Sequence, residues 1–121
     1  MASDLVPIFE TLKALYSAHE NKCVIVHDEP HRYHLASHEV RAKDEYRTDF
    51  GGVEIKKAYV SAHLMPIYIH PDLLTSVSSD LKKRMQGKSC FNFKKPDAAL
   101  FDELSELIKM SVDRFKQEGR L

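Results

Sequence analysis

Apolar positions follow two periods along the chain, and the switches between them mark the elements. Leu5, Ile8, Phe9, Leu12, Leu15 and Tyr16 recur at the spacing of one helix face. Ser3 or Asp4 can cap that helix, and Pro7 suits its first turn, where amide hydrogens have no partner. Its end is expected near His19 to Asn21. From Cys23 the period becomes two. Lys22 to His27 and Arg32 to His38 read as paired strands around Asp28, Glu29, Pro30 and His31, residues that favour chain reversal. A loop of two or four residues there sets Val26 opposite Tyr33 and Val24 opposite Leu35. Those four then share the core face, and Cys23, Ile25, His27, Arg32, His34 and His38 share the other.

Arg41 to Thr48 is charged and reads as a loop or an exposed strand end. Val53 to Ile55 and Ala58 to Leu64 flank Lys56 and Lys57 as a second hairpin. Pairing Ile55 with Ala58 and Val53 with Val60 puts Val53, Ile55, Ala58, Val60, Ala62 and Leu64 on the core side. Tyr59, Ser61, His63 and Met65 fall opposite. Pro66 cannot donate to a ladder, so the strand is expected at an edge, bulged or interrupted there before Ile67 to Ile69 continue it. Pro71 to Val77 reads as a short helix, and Ser78 or Ser79 caps another that runs through Asp80 to Gln86 and stops at Gly87. Ser89 to Lys94 reads as a last strand with Cys90 and Asn92 on one face and Phe91 and Phe93 on the other. Asp97 then caps the longest helix, whose stripe is Leu100, Phe101, Leu104, Leu107, Ile108, Val112 and Phe115 and whose end is Gly119.

No strand alternates with a crossover helix, which argues against a parallel sheet. The expected fold class is α+β: one antiparallel sheet of about five strands, its apolar face covered by the N-terminal and the long C-terminal helix. The chain of 121 residues fits a single domain, residues 1–121. Apolar residues make up 43% of it and charged residues 30%, enough to bury a core without disulfides or a structural metal.

Eighteen Lys and Arg balance eighteen Asp and Glu, so no global field draws the chain to nucleic acid or to an anionic membrane. Two cysteines without a CxxC pattern, and a start without a signal-peptide pattern, suit reduced thiols and a cytoplasmic location. No apolar run reaches the length of a membrane span.

Two runs carry a resemblance. Tyr59 to Tyr68 reads YVSxHLMPxY, and Ser78 to Lys94 reads SxxLKKRMQGKSCFNFK. With the closing Leu/Phe helix they resemble a family of small, mostly bacterial proteins of unknown function of the YdhG-like domain type. The resemblance covers about a third of the chain strongly and the rest by element order. It implies an α+β fold with an antiparallel sheet and helices at its two ends. Some YdhG-type relatives have been discussed as frataxin-like iron chaperones, a role that needs clustered exposed carboxylates; the first helix region carries Asp4, Glu10 and Glu20.

Three clusters can carry chemistry. His27, His31, His34 and His38, joined by Cys23, offer soft ligands, and His27, His34 and His38 share one strand face where zinc, nickel or copper could be held. The ordinary reading is a solvated strand face. His63 lies opposite the core with Tyr59 and Ser61, and with Tyr68 nearby, placed to bond a ligand or to act as an acid or base. Lys82, Lys83, Arg84, Lys88, Lys94 and Lys95 face a single acid, Asp80, and form the largest local excess of cations. Phe91 and Phe93 offer stacking surfaces, but without ribonucleoprotein spacing nucleic acid is not expected. Nothing near Cys90 in sequence activates a thiol, and no GxSxG, Walker or GxGxxG motif is present.

The leading expectation is therefore a non-enzymatic domain that binds a small anionic ligand or a protein partner through Tyr59, His63, Tyr68, Lys82, Lys83, Arg84 and Lys88, with no cofactor. The same open sheet face could pair two copies of the chain. The alternatives are a small enzyme using His63 as acid or base, and an iron- or zinc-handling protein of frataxin-like type.

Overall fold

The computed structural model describes the backbone of residues 2–121 and side chains from Asp4 onward, so capping by Ser3 lies outside the described residues. Helix α1 spans Ala2–Ser17, which places Asp4 inside the first turn. A single 3-10 turn, Glu20–Lys22, leads into the sheet. The strands are β1 (Val24–Glu29), β2 (Arg32–Val40), β3 (Arg47–Ile55), β4 (Val60–Leu64), β5 (Met85–Gln86) and β6 (Cys90–Phe93). They pair antiparallel throughout in the order β1-β2-β3-β4-β6-β5. Between β4 and β5 lie the short helices α2 (Met65–Ile69) and α3 (Ser79–Lys82), with a 3-10 turn at Pro71–Leu74. Helix α4 spans Ala98–Gln117, and the Leu100 amide donates to Asp97 Oδ1 at 3.1 Å, as the sequence predicts. No helix among the described residues is long and apolar enough to cross a membrane.

One face of the sheet is dry. Tyr33, Leu35, Phe50, Val53, Val60, Ala62, Leu64, Phe91 and Phe93 are buried there against Phe9, Leu12 and Tyr16 of α1 and Leu104, Ile108 and Phe115 of α4. Burying a side chain of this size stabilises by ~2 kcal/mol, and the stripe at helical spacing meets the alternate positions of the strands. Both terminal helices therefore lie on the same side. Among the described residues, no helical residue lines the open depression that His34, Gly52, His63 and Cys90 form on the opposite face.

Several elements differ from the sequence reading. The turn of the first hairpin is Pro30 and His31, so Asp28, not Val26, stands opposite Tyr33, and a bulge at Val26 sets Ile25 opposite Leu35. On this edge strand Val26 is 44% exposed, whereas Cys23 is buried in the core instead of facing outward. In the second hairpin Ile55 pairs with Val60 and Val53 with Ala62. The second shift amounts to two residues, which leaves Val53, Val60, Ala62 and Leu64 on their expected face, although Ala58 is exposed instead of on the core side. In the first hairpin the shift is two residues at Tyr33 and one at Leu35, because the bulge lies between them. Met65 to Ile69 is helical, not a continued strand: Pro66 has a fixed φ and lacks an amide hydrogen, which suits a helix start. Ser78 caps α3 through Leu81 as expected, but the helix ends at Lys82; Met85 and Gln86 pair with Phe91 and Cys90 as a sixth strand. Gly87 lies in the turn between those two strands rather than at a helix end.

Candidate functional site

The site is a row of side chains across the open face. Register partners run His27 to His34, His34 to Gly52, Gly52 to His63, His63 to Cys90 and Cys90 to Gln86. Directly opposed residues in antiparallel strands put their side chains on the same side, ~5 Å apart. Gly52 leaves the middle of the row empty, and the rings of His34 and His63 stack across it with centroids 5.9 Å apart and an interplanar angle of 16°.

Asp49 reaches this row because β3 is bulged. Leu35 pairs with Gly51 and Ala36 with Asp49, which leaves Phe50 as the extra residue. Phe50 is buried in the core, and past it the alternation is offset so that Asp49 and Gly52, three positions apart, share the open face. The Asp49 carboxylate accepts hydrogen bonds from both rings, through Oδ1 from His34 Nε2 and through Oδ2 from His63 Nε2 at 3.0 Å. The other nitrogen of His63, Nδ1, lies 3.5 Å from Cys90 Sγ. Below the strand, the phenol of Tyr16 donates to the His63 carbonyl at 2.7 Å and fixes its backbone against α1.

These contacts set the charges. Burial works against ionising Asp49, yet the hydrogen bonds from His34 and His63 outweigh it and hold the carboxyl well below the usual range. Burial likewise disfavours a charged His63, but its bonds to Asp49 and Cys90 push it up to about 9. The His63 contact lowers the Cys90 thiol, against burial, with help from Ser89 and Ser61. Burial pushes the other thiol, Cys23, up to about 11. Burial first, and the charges of Cys90 and Asp49 next, raise the Tyr16 phenol, so it stays a donor.

A stability test follows from the signs. His63 is raised from 6.5 to about 9, so its contribution to folding is whole below pH 6.5 and is lost as pH rises through 9. Cys90 acts in the opposite sense, adding stability as pH climbs toward the value of an unfolded thiol. Cys90→Ser separates the two: urea unfolding of that variant should lose on the order of 2 kcal/mol across the His63 window. A flat profile would mean that Asp49 does not hold the His63 proton.

The structure disperses the other candidates. Tyr59 joins Lys83 and Arg84, with Lys94, in a separate depression. Lys82 and Lys88 are exposed and line none of the depressions described here. Tyr68 is 55% exposed and borders Asp49, Met65 and Tyr46 in a third depression, away from Tyr59. His27 faces Glu29 at 3.4 Å, His34 is bonded to Asp49, and His38 is exposed with its amide bonded to the Arg120 carbonyl. No group of three or more His, Cys, Asp or Glu among the described residues is arranged to hold a metal ion.

Asp49 and Cys90 are the two members of this cluster that sequence reasoning did not place beside His63. Cys90 had one usable signal, its place on the Asn92 side of the last strand, opposite the two phenylalanines. Asp49 had none, since a bulge breaks the alternation that would locate it. No protein-family model, curated protein or solved structure matches this chain.

Proposed function

We propose that this chain is a small thiol-dependent enzyme that transfers or hydrolyses acyl groups, with Cys90 as nucleophile and His63 as acid and base. One observation carries the reading: Cys90, His63 and Asp49 stand in series, thiol to Nδ1 at 3.5 Å and Nε2 to carboxylate at 3.0 Å. A nucleophile, a base within reach and a third group that orients the base are the recurrent parts of such sites. Of the two expectations for His63, acid and base rather than passive ligand contact, this arrangement favours the first.

With Asp49 accepting from Nε2–H and stabilising the charged ring, the Cys90 proton resides on Nδ1, so the resting pair is thiolate and imidazolium. The thiolate attacks a carbonyl carbon; the new C–S bond forms as the carbonyl π pair moves to oxygen. When that pair returns, the bond to the leaving group breaks and Nδ1–H protonates the leaving group. Water, deprotonated by the now neutral His63, then attacks the acyl-thioester, and the carboxylic acid leaves as the thiol is restored. The depression beside Cys90 and His63 has a volume of about 190 Å³ and is lined as well by Arg32, His34, Gly52, Glu54, Lys56 and Ser61, which suits a small acyl group.

The same proposal includes membership of the YdhG-like family and a cytoplasmic location. It is supported by the two runs of resemblance, which contribute His63 and Cys90, and by two free cysteines. Incubation with p-nitrophenyl acetate, followed by mass spectrometry, tests the chemistry. One acetyl group should appear on Cys90, and both the adduct and nitrophenolate release should vanish in Cys90→Ser. Labelling confined to lysines, or release unchanged by Cys90→Ser, would overturn the reading.

A further inference from the structure

Along β6 the Cys90 depression adjoins a second one of about 460 Å³, lined by Tyr59, Lys83, Arg84, Gln86, Asn92 and Lys94. Two register pairs join them. Gln86 stands opposite Cys90 and Asn92 opposite Ser61, and in each pair one side chain lines the basic depression while its partner lines the Cys90 depression. The two hollows are therefore about one strand spacing, ~5 Å, apart.

The second hollow is built for negative charge. Arg84 and Lys94 form no ion pair among the described residues, and Lys83 reaches only Asp80, at 3.8 Å with both side chains well exposed. Both Arg84 and Lys94 also border a neighbouring hollow with Lys95, where the acid, Asp97, is committed to the Leu100 amide as a helix cap. The Arg84 carbonyl accepts from the Asn92 amide at 2.8 Å, which ties the cationic segment to β6. A guanidinium that can bond two oxygens, ammonium groups, the carboxamides of Gln86 and Asn92 and the half-buried Tyr59 ring together match a phosphorylated group better than a single carboxylate.

We propose that this basic depression holds the phosphate or pyrophosphate group of the substrate whose acyl carbon is presented to Cys90. The inference rests on the acyl-transfer reading and names its substrate class, an acyl ester or thioester with a phosphorylated remainder. Binding the non-reacting end next to the nucleophile lets its interaction energy position the carbonyl.

Titration calorimetry of the intact chain with inorganic pyrophosphate near physiological salt is the test, on wild type, Cys90→Ser and an Arg84→Ala/Lys94→Ala double variant. Saturable binding of one equivalent is expected for wild type and, at equal affinity, for Cys90→Ser, with at least a ~10-fold loss in the double variant. Both replaced residues are exposed, so the fold should persist, and iodoacetamide should modify Cys90 in the double variant at the wild-type rate. No saturable binding to wild type, or undiminished binding to the double variant, overturns the phosphate site. Ordinary thiol reactivity at Cys90 with pyrophosphate binding intact would instead overturn the acyl-transfer reading.

Discussion

Alkylation of Cys90 by iodoacetamide near pH 6 is expected to slow severalfold when His63 is replaced by Ala. The reagent reacts with thiolate, and an unassisted thiol with a pKa of about 8.5 is less than ~1% ionised there. In the wild-type chain His63 Nδ1, 3.5 Å from the sulfur, is the largest influence lowering Cys90. A thiolate of lower pKa is also a weaker nucleophile, by a Brønsted slope of about 0.4–0.5, so roughly half of the logarithmic gain in ionised fraction survives in the rate. Asp49→Asn should act in the same direction and less strongly, since it keeps a partner for His63 Nε2 but removes the charge that stabilises imidazolium. Cys23 is the internal control: it is buried, its thiol sits at about 11, and it should stay unmodified in every variant. Mass-resolved alkylation rates decide the matter, and equal rates for wild type and His63→Ala would remove His63 from the mechanism.

Gly52→Val should cost ~3 kcal/mol or more and lower the melting temperature by ~10 °C or more, if the variant folds at all. A Cβ at this position would stand 2.2 Å from the Tyr33 carbonyl oxygen, 2.7 Å from His34 Cα and 2.8 Å from His34 Nδ1. Two of these are backbone atoms of the paired strand, so relief requires opening the β2–β3 ladder, and the third is the ring that stacks on His63. Gly52→Ala already introduces the offending atom and should show most of the loss. That distinguishes a clash at Cβ from a general intolerance of bulk. The same clash pushes His34 aside, so thermal melts of Gly52→Ala should be read beside the Cys90 alkylation rate. A melting temperature like wild type would mean that Gly52 is not what lets the two histidines meet.

The faces of the sheet were legible because side-chain direction alternates strictly within regular strands. Val53, Val60, Ala62, Leu64, Phe91 and Phe93 sit where their alternation places them. The registers were not legible. Moving Val53 from Val60 to Ala62 keeps the strand faces, so a pattern of period two is blind to it. In the first hairpin the bulge at Val26 broke the alternation as well, exposing Val26 and leaving Cys23 in the core. Caps at Ser78 and Asp97 were readable because they depend on local bonds to amides three residues ahead. The end of α3 was not, since Met85 and Gln86 gain more from pairing with β6 than from another helical turn, and that gain depends on residues distant in sequence.

For the site, His63 was identifiable as an open-face residue among polar and aromatic neighbours, and the basic segment as a charge excess. What joined His63 to Cys90 is the β4–β6 pairing across 27 positions of sequence, which no local period encodes. Asp49 depended on a bulge that keeps Phe50 in the core. Tyr68 stands on a short helix because Pro66 starts one where a strand was expected.

Ultraviolet titration of the Cys90 thiolate in a Cys23→Ser background measures directly whether the row Asp49, His63, Cys90 activates the thiol. A midpoint clearly below the ordinary thiol value of about 8.5 is expected, returning toward that value in His63→Ala. A midpoint at or above 8.5 in the intact site, unmoved by loss of His63, would contradict the account.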